Sequence, residues 1–81
     1  MFESINEAVD VIVKFARQKV VPVKFRWRNR EYPIHRLNLL HSHHQGRELI
    51  HVFSVSNDDY VFTLSFHTAS LSWKLNDMYY A

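Results

Sequence analysis

Eighty-one residues with Lys+Arg 10, Asp+Glu 8 and no cysteine describe a single domain, 1–81, with a thin core; they exclude a disulfide framework, a thiolate metal site and a thiol nucleophile. The formal net charge of +2 points to nucleic acid only if the cations cluster. No apolar run approaches the ~20 residues of a membrane span, and the N-terminus lacks the basic patch and apolar stretch of a signal peptide, so a soluble cytoplasmic protein without membrane contact is expected.

Ser4 to about Gln18 reads as a helix. Ser4 and Glu7 have the spacing of a capping box, in which hydroxyl and carboxylate satisfy each other's backbone amides. Ile5, Ala8, Val9, Ile12, Val13 and Ala16 recur at helical spacing and form one apolar stripe. Asp10 and Lys14 make an i,i+4 pair, and the cations Lys14, Arg17 and Lys19 fall late, where the helix dipole favours them.

Pro22 holds Val21 extended and opens a first strand, Val23 to Arg28. Asn29-Arg30 is the expected turn, with a four-residue loop as the alternative. In the two-residue case Trp27 faces Tyr32 and Phe25 faces Ile34. The second strand begins near Glu31; Pro33 marks an edge or a bulge, and a bulge before Leu37 restores the register. His41 to Arg47 reads as a polar loop in which Gly46, the only glycine, supplies a positive-φ turn. Glu48–Ser56 is apolar on both faces, as in a central strand. Tyr60–His67 alternates with period two, and Leu71, Trp73 and Leu75 continue the pattern in a fifth strand. The expected fold is α+β: an N-terminal helix over about 4–18, then a curved, half-barrel-like antiparallel meander of five strands over about 22–76.

The pattern Phe25-x-Trp27-Arg28-x-Arg30-x-Tyr32-x-Ile34, with Tyr60-x-Phe62-x-Leu64-x-Phe66 and Trp73-x-Leu75, resembles a loose group of small bacterial proteins and domains of unknown function. They share an F-x-W-R-x-R-x-Y-x-[IV] hairpin and a late W-x-L strand. The resemblance covers about Val23 to Leu75 and implies a fold; Asn29 stands where that group often carries glycine.

Three constellations carry chemistry. Lys24, Arg26, Arg28, Arg30 and Arg36 alternate along the first hairpin, a basic surface of the kind that binds nucleic acid when aromatics lie beside it. His41 and His43 share a face of an extended segment with His44 adjacent, a spacing suited to zinc or nickel if a third ligand such as His51 joins. Ile50 and Val52, with Leu37, Leu39 and the Tyr79-Tyr80 tail, exceed what one helix can cover and suggest self-association. No nucleophile–base pattern or paired carboxylate appears, and no cofactor is implied. The expected function is a non-enzymatic interaction module, homodimeric and binding a protein partner. The alternatives are a nucleic-acid accessory domain using the basic hairpin and metal or small-ligand binding through the His41–His44 segment.

Overall fold

The computed structural model describes residues 2–81 as seven antiparallel strands in one sheet, with no helix among them. In chain order these are β1 (Phe2–Ala16), β2 (Lys19–Trp27), β3 (Arg30–Pro33), β4 (Arg36–Gln45), β5 (Glu48–Ser56), β6 (Tyr60–His67) and β7 (Ser72–Tyr80). Their spatial order is β3-β2-β1-β7-β6-β5-β4. The fold is therefore all-β, and the expected α+β arrangement of a helix and five strands is corrected. No helix long and apolar enough to cross a membrane occurs among the described residues.

The predicted helix is the central strand β1. Ile5, Val9, Val11, Ile12 and Val13 are β-branched and lose side-chain freedom in a helix. The helical stripe was a by-product of apolar residues on both faces of a strand: Val9 and Val11 pack on the core, while Ile12 is exposed. Tertiary context settles the matter. β1 pairs with β7 through Phe2–Val9 and with β2 through Asp10–Ala16; a helix here would strand β2 and β3 as an isolated hairpin, which is marginal in water. The capping box does not form: the Ser4 hydroxyl accepts from Asn6 Nδ2 at 3.3 Å, and Glu7 reaches across the sheet.

Two segments turn the sheet's corners. β1 changes partner near Val9, after an irregularity between Ser4 and Glu7 where Asn6 takes φ 55°. The β3–β4 segment does the same: the Ile34 amide donates to the Val23 carbonyl at 3.0 Å, and the His35 amide donates to that of Ser56 at 2.9 Å. Strands that switch partners at bends let a sheet fold over itself. The inner faces of β2 and β3 thus meet those of β5 and β6. Phe25 meets Phe62 edge-on at 4.8 Å, and Tyr32 meets Tyr60 and Phe62. Phe25, Trp27, Phe53, Val55, Phe62, Leu64 and Leu75 fill the interior.

Two hairpins close through pairs of left-handed residues, Arg17-Gln18 (φ 51° and 64°) and Arg28-Asn29 (φ 51° and 63°), the backbone that matches strand twist. The second lies one residue before the expected Asn29-Arg30 turn. Phe25 therefore pairs with Tyr32 and Trp27 with Arg30, and the Phe25 and Tyr32 rings stack at 5.1 Å.

Candidate functional site

The sheet has two edges, β3 and β4. β4 is exposed along its whole length on both faces. Its sequence, RLNLLHSHHQ, carries one formal charge, Arg36, at its start. One irregularity lies between Leu37 and Leu39; from Leu39 to Gln45 the pairing with β5 is regular and ends at the Gln45–Glu48 pair flanking the Gly46-Arg47 turn. Residues that flank a two-residue turn exchange both backbone bonds, and the pattern then alternates. His43, His41 and Leu39 accordingly bond inward to β5. The amides and carbonyls of Leu40, Ser42 and His44 point outward from the edge.

The same alternation sorts the side chains. Leu40, Ser42 and His44 lie on the face of Phe53, His51 and Leu49; His41 and His43 lie on the opposite face, over Val52 and Ile50. His41 and His43 stack with ring centroids 6.2 Å apart and 28° between planes. His44 is thus separated from the other two histidines by the sheet. So is His51, whose Nδ1 lies 2.6 Å from the Ser42 hydroxyl. Among the described residues no carboxylate contacts His51, so this serine–histidine pair lacks the orienting acid of a nucleophilic site. No group of three or more potential metal-ligating side chains occurs among the described residues.

Beside β4, on the inner face, lies an apolar cleft of ≈ 470 Å³ walled by Val20, Val21, Leu37, Leu40, Phe53 and His51, with Gln18 and Lys19 at its lip. It separates the distal β1–β2 hairpin from β4 and β5. That hairpin also exposes Phe15 (78%) and Ile12 (52%). This wall is not legible when a helix ends at about Gln18 and the first strand opens only at Val23, as the sequence reading has it. Strand alternation over Val9, Val11, Val13 and Phe15 was the available signal.

The basic residues are partly neutralised. Arg28 donates to Glu7 Oε2 at 2.7 Å, and Glu7 Oε1 accepts from Trp27 Nε1 at 2.9 Å. Hydrogen bonds first from Arg28 and then from Trp27 hold the Glu7 carboxyl below its usual range; the reciprocal bond raises the Arg28 guanidinium. Lys24 lies 3.5 Å from Glu31, and Arg26 pairs in register with Asp10 and Glu31. Arg30 sits over the Tyr32 ring at 5.7 Å, and Arg36 stands apart at the start of β4. Trp27 is only 8% exposed, so it offers no open stacking face.

Ile50 is 3% exposed and Val52 half-buried, at the opposite end of the strands from Tyr79 and Tyr80. Those tyrosines align with Val61 and Tyr60, and the Tyr80 ring lies 5.2 Å from that of Tyr60. The four do not form one patch. Comparison of the chain with protein-family models, curated proteins and solved structures returned no match.

Proposed function

We propose that the protein is a non-enzymatic interaction module that pairs with a second copy of itself through the free edge of β4. The observation that carries this reading is an edge of ten residues with outward backbone groups, neither charge nor proline over Leu39–Gln45, and exposed Leu39 and Leu40. Such an edge is a template for another strand. The regular stretch is centred on Ser42. A two-fold axis there aligns Leu40 with His44 of the second copy and Ser42 with its own counterpart, engaging every outward-facing group. Arg36 falls outside the overlap, so no like charges meet.

Molar mass by light scattering across a concentration range tests the reading. Reversible dimerisation that is lost on Leu40→Lys supports it; a monomer at all concentrations, or a dimer indifferent to that change, rejects it. The buried Trp27 and the neutralised Arg28 and Lys24 favour this reading over nucleic-acid binding.

The cleft favours a second reading, a site for a small apolar ligand. Its ≈ 470 Å³ and apolar walls match the size and character of ligand pockets. An environment-sensitive apolar dye displaced by medium-chain alkanols, with binding abolished by Leu37→Asp, is the expected result; no dye binding at saturating protein rejects it.

A further inference from the structure

We infer that His41 and His43 of two copies form a tetrahedral zinc-class metal site across the paired β4 edges. The inference rests on the self-pairing proposed above. The two imidazoles are exposed, lie on one face and stack 6.2 Å apart. Among the described residues neither has a hydrogen-bond or ion-pair partner.

One chain cannot complete the site. His44 and His51 are on the other side of the sheet. On the correct side, His67 lies beyond β5, opposite Ile50, and is engaged by Glu48 Oε2 at 3.7 Å and by the Ser65 hydroxyl at 3.2 Å.

A second copy supplies what is missing. Around the axis at Ser42, His41 faces His43 of the second copy, and His43 faces its His41. Both are pairs without backbone bonds between them, where Cα atoms approach to about 4.5 Å and side chains are closest. Four imidazoles then gather over the two-fold axis. Zinc takes four nitrogen ligands tetrahedrally at about 2.0–2.1 Å, and imidazole suits zinc, copper and nickel. Beside them on the same face lie the apolar Ile50 and Val52, and the nearest carboxylate there, Glu48, is engaged by His67. The metal would act as a clamp, tightening a pair that edge contacts alone hold weakly, so that at low chain concentration the dimer appears as zinc is added.

The test is calorimetric titration of zinc chloride into the tag-free chain, with light scattering run in parallel. The expected result is one zinc per two chains, a doubling of mass as zinc is added, and reversal by a chelator. His41→Ala and His43→Ala each abolish the zinc-linked dimer; His44→Ala, on the other face, leaves it intact. Zinc binding at one ion per chain without a change in mass overturns the inference, as does an unaltered response in His41→Ala/His43→Ala. A dimer that forms in chelator and takes up no zinc overturns the metal site while leaving edge pairing standing. A monomer with and without zinc overturns both.

Discussion

Proline at position 42 separates pairing from folding. The Ser42 amide points away from β5, so Ser42→Pro removes no backbone bond within the chain, only the side-chain bond to His51 that Ser42→Ala also removes, and proline is tolerated at edges where the N–H faces outward. In the pair it removes the donor from both copies at the two-fold centre. Leu40, Ser42 and His44 each donate once in each copy, about six bonds in all. At ~0.5–1.5 kcal/mol net apiece, these give roughly 3–9 kcal/mol. Ordering two chains costs ~4–15 kcal/mol, so backbone pairing alone at best balances that cost, and contacts of Leu39, Leu40 and the histidines decide whether the proposed dimer persists. Losing the two central bonds costs about 1–3 kcal/mol, a roughly 5- to 150-fold rise in the dimer dissociation constant. Sedimentation equilibrium reads that shift and thermal unfolding reads the fold. His43→Pro is the control: its amide belongs to the β4–β5 ladder, so it should lower the melting temperature well beyond Ser42→Pro. Ser42→Ala, which loses only the hydroxyl bonded to His51, should still dimerise. The reasoning fails if Ser42→Pro dimerises like the parent chain, or if positions 42 and 43 destabilise the fold equally.

Three further outcomes are expected. Because Glu7 has a lowered folded pKa, its contribution to stability is complete above the ordinary carboxylate range and is lost as pH falls through the folded value. Urea midpoints of the parent chain and Glu7→Gln should therefore converge in acid and separate toward neutrality; a constant gap would contradict the Arg28–Glu7–Trp27 contact. Arg17 and Gln18 both sit at positive φ, where a side chain costs ~1–2 kcal/mol; Arg17→Asn with Gln18→Gly should gain about 1 kcal/mol and raise the melting temperature by roughly 4–8 °C. Far-ultraviolet circular dichroism of the parent chain should show a strand spectrum without a helical double minimum, and a helical signal would restore Ser4–Gln18 as a helix.

What could be read from the sequence was what a single strand decides for itself. Glu48–Ser56 and Tyr60–His67 have their residue types and alternation written locally, and both are strands with those bounds. The N-terminal segment was ambiguous because a strand apolar on both faces also presents apolar residues at helical spacing, and Ser4-x-x-Glu7 imitated a cap. Only the Trp27 indole and Arg28 guanidinium, twenty and twenty-one residues away in sequence, show what Glu7 is for. The turn at Arg28-Asn29 was misplaced by one residue because Asn29, which tolerates positive φ, suits either position of a two-residue turn. The stack of Phe25 on Tyr32 belongs to the observed register, and that contact exists only after folding. His41-x-His43 was legible as two ligands on one face, but His44 and His51 were not separable from them until β4 had a register.

The two edges of this sheet are unlike, and the difference bears on function. β3 has four residues, REYP: it is short, carries Arg30 and Glu31, and includes Pro33, which has no amide to offer. These are the features by which an edge avoids pairing with another chain. β4 is longer, has no proline, and places its one charge outside the regular stretch. Both edges belong to one small domain under the same pressure against aggregation, so a device present at one and missing at the other needs a reason. An edge reserved for a partner supplies one. An uncharged strand centred on Ser42 can pair with its own copy without opposing like charges, whereas a foreign peptide would meet no charge on Leu39–Gln45 to fix its direction. In the proposed metal-linked pair the histidines add selectivity that a bare edge lacks, because they would become ligands only in the register that aligns His41 with His43 of the second copy. On this argument, replacing Leu39 and Leu40 by lysines should make β4 resemble β3 in its behaviour, abolishing dimerisation while leaving the melting temperature of the monomer unchanged.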